Sequence, residues 1–305
     1  TLSGNSAGAR GGGIQNWGTL TVSSSTLSGN SATLVGGGIA NAGTLTMQNS
    51  TLFGNSAETG GGISNQSTLT VSNSTLSGGS ASSGGGGIHN LSNVVTVQNS
   101  IVAMQAAGVA DCSIGSGTLT SLGYNIESAT SCNFTQASDL QNVSSANLAL
   151  QPLANNGGPT QTQALGLTSV AVDRIPVDSL EANGCGTTVT TDQRGLPRAS
   201  GATAGGPRCD VGAFEVQVPL AVTLAGFDAQ AMLDHILLSW ETVSEMDNAG
   251  FNLYRSASPD APDALLAFVP SQAPGSTQGA SYSYEDAEVA PGETWNYWLE
   301  DVDPN

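Results

Sequence analysis

Lysine is absent from this chain of 305 residues, and all of its side-chain cationic charge beyond histidine rests on six arginines, Arg10, Arg174, Arg194, Arg198, Arg208 and Arg255. Cations so few and so scattered cannot form a basic patch, which excludes nucleic-acid binding and attraction to an anionic lipid surface. Histidine is nearly missing too, with His89 and His235 alone, which leaves few nitrogen ligands for a metal site. No run of about 18 apolar residues occurs, and no membrane insertion is expected from this segment. Aromatic residues are 5% and charged residues 10% of the chain, low for an ordinary globular surface. A hydrophobic share of 38% still suffices for a narrow core and argues against disorder. There is no initiating Met, signal peptide or sorting tail, so the chain reads as a segment of a longer product.

Glycine is what abounds, 40 residues of it, and it falls at fixed places among Ser, Thr and Asn. Residues 11–32 are GGGIQNWGTLTVSSSTLSGNSA, residues 36–57 are GGGIANAGTLTMQNSTLFGNSA, and residues 60–82 are GGGISNQSTLTVSNSTLSGGSAS. Leu2, Leu27, Leu52, Leu76 and Ile101 recur in steps of 25, 25, 24 and 25. Ile14, Ile39, Ile63 and Ile88 form a second series, and Val22, Met47, Val71 and Val97 a third. A fixed period in the twenties marks a solenoid; the multi-Leu consensus of leucine-rich repeats is missing.

Within a unit the apolar residues alternate. In Thr44-Leu45-Thr46-Met47, Leu and Met share one face and both Thr take the other. Three short strands fit each unit, around Gly38–Asn41, Thr44–Gln48 and Ser50–Gly54, with Gly or Asn at the corners. The expected fold is therefore all-β: a parallel β-helix of about 25-residue coils, each strand bonding to its copies roughly 4.8 Å above and below. Asn16, Asn41, Asn65 and Asn90 follow the inward Ile by two residues and are expected to form an amide ladder along the axis. Asn5, Asn30 and Asn55 form a second series, broken by Gly79. Low charge belongs to the same logic, because like charges stacked at strand spacing repel. Gly117–Ile126 looks like one more coil, and the rest to Glu215 is irregular.

Cys112, Cys132, Cys185 and Cys209 can pair in three ways. Their spacing fits neither a zinc knuckle nor a CxxC redox motif, and an even count in a charge-poor, Gly-rich chain points to disulfides and an oxidising compartment. Local pairing, Cys112–Cys132 and Cys185–Cys209, is preferred; a metal site is the alternative.

The blocks ADCSIGSGTLTSLGYNIESATSC, LQPLANNGGPTQTQAL, TDQRGLPR and CDVGAFE, in that order, resemble the choice-of-anchor Q domain of bacterial surface and secreted proteins, over roughly residues 85–216. The resemblance implies a right-handed parallel β-helix that this domain ends, variable anchoring regions beyond it, and no catalytic residue. Val170-Ala171-Val172-Asp173-Arg174 departs from the family's pattern. Asp192, Arg194, Arg198, Asp210 and Glu215 gather opposite charges in an otherwise neutral region. Ion pairs that knit an irregular cap are expected there; the alternative is an anion or sugar-acid site made by Arg194 and Arg198.

Residues 216–305 hold fourteen acids and one Arg, which sets a boundary near Val216–Ala221. Alternating segments at His235–Trp240, Phe251–Arg255, Leu265–Val269, Ser281–Glu285 and Trp295–Asp301 have sandwich-like spacing. LLSWET, GFNLYR and WNYWLEDVD resemble a fibronectin type III-like domain, which implies a small β-sandwich with Trp240 and Tyr297 in its core and a last strand beyond Asp303. The layout is thus 1–110 coils, 111–216 last coils and cap, and 217–305 an incomplete sandwich.

The functional expectation is a non-catalytic extracellular structural or adhesive protein, on or released from a bacterial cell, without a cofactor. Hydroxyl and amide faces suit glycans or surfaces. Unpaired edges at Thr1 and after Asp303 suit self-association, end to end or by strand complementation. The alternative is a polysaccharide-binding or polysaccharide-degrading β-helix. Glycoside hydrolysis needs two carboxylates about 5–10 Å apart; the repeats offer Glu58 and Arg10, and Asp111 lacks an acid partner in sequence. His89 has outward parity and is expected on the surface. Trp17 suits stacking on a sugar ring or packing at an edge. Glu241, Glu245 and Asp247 suit a solvated acidic loop, with Ca²⁺ binding as the alternative. Triplets such as Asn49-Ser50-Thr51 follow from the repeat and say little of glycosylation.

Overall fold

β-Branched Thr and Val favour a pleated, half-buried surface, and Ser, Asn and Gly interrupt it every few residues. The computed structural model folds this pattern into short parallel strands. It describes residues 1–177, 183–198, 208–217, 222–245, 248–274, 276, 278–290 and 292–302. Asp247, most of the expected boundary at Val216–Ala221 and everything beyond residue 302 lie outside them. The chain divides into two compact units, Thr1–Gln217 and Val218–Asn305, so the coils and the segment 111–216 form one body.

The first unit is a parallel β-helix of about five turns. One sheet stacks Ile14–Asn16, Ile39–Asn41, Ile63–Asn65, Ile88–Asn90 and Cys112–Ile114. A second stacks Thr19–Ser23, Thr44–Gln48, Thr68–Ser72, Val94–Gln98 and Thr118–Ser121. A third runs from Leu2–Ser3 through Thr26–Ser28, Thr51–Phe53, Thr75–Ser77 and Ile101–Val102 to Ile126–Glu127. The structure adds a fourth row that the periodicity does not announce, the two-residue strands Ser6–Ala7, Ser31–Ala32, Ser56–Ala57 and Ser80–Ala81.

Register is self to self: Ile63 pairs with Ile39 and Ile88, and Val71 with Met47 and Val97. The inward columns fuse into one buried aliphatic core. Cys112 takes the next place in the isoleucine column, opposite Ile88, and its disulfide partner Cys132 joins Phe134 at that end of the core.

The second unit packs two antiparallel three-stranded sheets. Thr223–Ala231, Ile236–Ser244 and Ser281–Asp286 make one; Ala264–Pro270, Gly250–Ser256 and Asn296–Val302 make the other. Their shared core holds Leu238, Trp240, Phe251, Leu253 and Tyr282. Trp240 stacks on Tyr282 at 5.1 Å and meets the edge of Phe251 at 5.6 Å. Tyr297 packs on this core only partly buried.

Candidate functional site

The corners of the coils are built from side chains that repeat the backbone ladder. Asn16 donates from Nδ2 to Asn41 Oδ1 at 2.8 Å, Asn41 to Asn65 at 2.7 Å, and Asn65 to Asn90 at 2.9 Å. Asn90 ends the column by donating to the Thr118 carbonyl at 3.0 Å. In the second series Asn5 bonds Asn30 and Asn30 bonds Asn55; at Gly79, where the series breaks, Gln105 Oε1 accepts from the backbone N–H instead. An Asn65→Ala variant leaves the buried Asn90 Oδ1 without its donor and Asn41 Nδ2 with the Thr68 carbonyl alone. A loss of about 1–3 kcal/mol in the unfolding free energy is expected by urea titration.

The triplet Asn49-Ser50-Thr51 carries three separate tasks. Asn49 turns the chain with a left-handed φ of 46°, as Asn73 and Asn99 do in later coils. Ser50 Oγ accepts from the Ser25 N–H of the coil below, and Ser74 and Ser100 repeat the contact. Thr51 points outward but is fully buried, as are Thr26 and Thr75. The period shows that these positions repeat, and it cannot show what covers them.

What covers them is the chain itself. Described parts of 160–216 run back along the third sheet as a lateral clasp. Gln193 donates to Thr26 Oγ1 at 2.8 Å and accepts from Thr51 Oγ1 at 2.7 Å. Ser77 donates to Gln163, and the Ala213 N–H donates to Thr75 Oγ1 at 3.1 Å. Asn49 donates to the Thr191 carbonyl at 2.9 Å and Asn99 to that of Asn183 at 2.6 Å. The resemblance implied a domain that ends the helix; the structure lays this segment along its side.

The five charged residues meet under the clasp. Asp192 accepts from Arg194 Nε at 2.8 Å and from the N–H groups of Leu196 and Glu215. Arg198 lies 3.2 Å from Glu215 Oε2 and donates to the Gly212 carbonyl at 2.7 Å and to Asn49 Oδ1 at 3.1 Å. Asp210 accepts from the N–H groups of Asp173 and Val216. The Arg194 guanidinium lies 3.7 Å over the Phe214 ring. Asp192, Arg198, Asp210 and Glu215 are buried, and both guanidinium groups are spent on internal acceptors. The Arg194 and Arg198 side chains are 6% and 0% exposed, which leaves an anion or sugar acid no opening to them among the described residues. The segment 170–174 is tied in here, with Ala171 buried and Asp173 in the left-handed region. A second disulfide, Cys185–Cys209, closes the clasp.

Asp111, His89 and Glu245 are placed differently from expectation. Asp111 does have an acid neighbour, Glu127, but each carboxylate is buried and consumed by backbone. Asp111 accepts from Ser128 and Ala129, and Glu127 from Cys132, Phe134 and Gln141. His89 is half-buried, between Ser64 and Ser113 in the sheet, with Nδ1 enclosed near Gly84 and without a hydrogen-bond partner. Trp17 is 68% exposed, beside a shallow recess lined by Arg10, Gln15 and Gln66.

Glu245 is not part of a solvated loop. It is buried and accepts from Thr242, Tyr282, Asn248 and Ser271, because the sandwich folds a segment almost forty residues away over it. Glu241 stays exposed. Among the described residues no cluster of three or more His, Cys, Asp or Glu is arranged to hold a metal ion, and no helix is long and apolar enough to cross a membrane.

The two units answer pH in opposite directions. Burial pushes the Asp210 carboxyl from 3.8 up to about 6 and raises Asp111 as well. The folded first unit thus holds protons that the unfolded chain has lost. The stability this contributes is full below about 4 and is lost as pH rises through 6. Burial alone would raise Glu245, but donors from Ser271, Thr242, Tyr282 and Asn248 outweigh it and hold the carboxyl below its ordinary 4.5. Its contribution is present above 4.5 and is lost as pH falls through the depressed value. Calorimetry is expected to show the first unit's Asp210 contribution strengthening from pH 7 to 5, and the second unit weakening below pH 4.5. Deletion of the carboxylate in Glu245→Gln should flatten the second trend.

Compared with family models, curated proteins and solved structures, the chain has no match.

Proposed function

We propose that this chain is a non-catalytic structural or adhesive β-helix protein of the extracellular space, carried on or released from a bacterial cell. One observation carries the reading. The acids of the last coils and clasp, Asp111, Glu127, Asp192, Asp210 and Glu215, are buried and bonded internally, while the coils turn neutral hydroxyls and amides to solvent. That arrangement supports a rigid element with broad, weak contacts to glycans or surfaces, rather than an acid–base site. Two disulfides support an oxidising compartment. The resemblances to choice-of-anchor Q and fibronectin type III-like domains support surface display.

Self-association is the finer part of the proposal. Thr223–Ala231 is a nine-residue sheet edge that is mostly exposed, and such an edge can accept a strand from another copy. Electron microscopy of native material tests the reading: stalks or filaments support it, and dispersed monomers remove the assembly claim. Turnover of pectin, alginate or chondroitin by the purified chain would replace it with the enzymatic alternative.

A further inference from the structure

Two columns of threonine stand side by side on the outer face of the second sheet. Thr21, Thr46, Thr70, Thr96 and Thr120 are in register, and beside them Thr19, Thr44, Thr68, Val94 and Thr118. Nine of these ten positions are Thr, and the tenth is the residue of the same shape without the hydroxyl. All ten side chains are exposed or half-buried. Among the described residues none of the nine hydroxyls bonds to another protein group.

A solvated face does not need such uniformity. Outward positions elsewhere on the same coils drift: Gln15, Ala40, Ser64, His89 and Ser113 on the first sheet, of which Ala40 and Ser64 are buried, and, more tellingly, the exposed or half-buried Ser23, Gln48, Ser72 and Gln98 on these very strands. Thr26, Thr51 and Thr75 stay constant because the clasp bonds them. The uncovered pair of columns stays constant with no protein partner. A requirement that recurs once per coil and once per two residues points to a partner that is itself a lattice.

The array's repeats are about 4.8 Å across the strands and about 6.6 Å along them. β-Branching restricts χ1, so methyl and hydroxyl groups keep their lateral positions. No charge and no aromatic ring occupies the ten positions, which fits an uncharged lattice without sugar rings to stack on. We propose that this face binds ice. Its cross-strand repeat lies near one oxygen repeat on the prism face of hexagonal ice and its repeat along the strand falls somewhat short of the other, so water ordered between the two methyl columns can adjust and continue into the crystal. One hydroxyl–water bond is worth little net, but a rigid array engages many at once and their contributions accumulate. The inference needs only the solenoid and stands apart from the display and assembly reading above.

The test is incorporation of the fluorescently labelled whole chain into a growing ice hemisphere, with recrystallisation inhibition measured in parallel. The wild type is expected to enter the ice and hold grains small. Thr46→Lys and Thr70→Lys, with circular dichroism unchanged, are expected to lose both effects, and Gln15→Lys on the neighbouring sheet to keep both. Should a lysine variant misfold, Thr44→Tyr at the exposed column gives the same reading. Exclusion of the wild type from ice overturns the proposal, as does equal behaviour of face and control variants. Binding to crystalline cellulose or chitin through this face, with no ice activity, overturns it in favour of a glycan lattice.

Discussion

Arg198→Ala is expected to destabilise the first unit by about 3–5 kcal/mol, the cost of removing one partner from a buried, hydrogen-bonded ion pair. The side chain is fully enclosed and bonds Glu215, Asn49 and the Gly212 carbonyl. Its loss leaves the Glu215 carboxylate without its guanidinium and opens the tie between clasp and coil at Asn49. Hydrogen exchange should show the effect at Thr51 and Thr75 as well as at residues 208–217, because these threonines lose their cover. Replacing both partners, Arg198→Met with Glu215→Gln, should recover part of the loss, since no unpaired charge then remains buried and the amide oxygen can still accept from the Asp210 N–H. If Arg198→Ala falls within about 1 kcal/mol of wild type, the network is solvated as a surface pair would be.

Gly37→Ala is the second large effect expected, and Gly18→Ala is its control. A Cβ on Gly37 would lie 2.4 Å from the Ser56 carbonyl oxygen and 2.6 Å from that of Gly61, both on the next coil. No side chain can yield there, because the obstacles are backbone atoms. One methyl group must therefore push two coils apart, and overpacking of this kind costs about 1–3 kcal/mol or more. Gly18 has open space around its Cβ direction, and Ala there should change stability by no more than about 0.5 kcal/mol. Thermal unfolding of the two variants separates a glycine required by coil spacing from one that merely belongs to the repeat.

The coil was legible because its partners are copies of itself. Leu45 faces Leu69 and Leu20 in the ladder, so the demand on each position is written once per repeat. The amide column followed from parity alone. The clasp was not legible, since Thr26 and Thr46 both read as outward hydroxyls. Only the fold brings Gln193, 167 residues away, onto the first of them. Glu245 was missed for the same reason: an acid beside Glu241 looks solvated until Tyr282, 37 residues on, donates to it. The fourth row of strands escaped because two residues carry no alternation. The serine ladder was hidden in a triplet that resembles a glycosylation signal.

The chain uses one threonine column for its own clasp and leaves two others facing solvent. Paramagnetic relaxation of threonine methyl resonances by a soluble nitroxide tests this directly. Thr26, Thr51 and Thr75 are expected to be protected, while Thr19, Thr21, Thr44, Thr68 and Thr118 broaden. Equal broadening of both sets would mean that the described parts of 160–216 do not lie on the third sheet, or that the strands are out of register, and either result would contradict the fold.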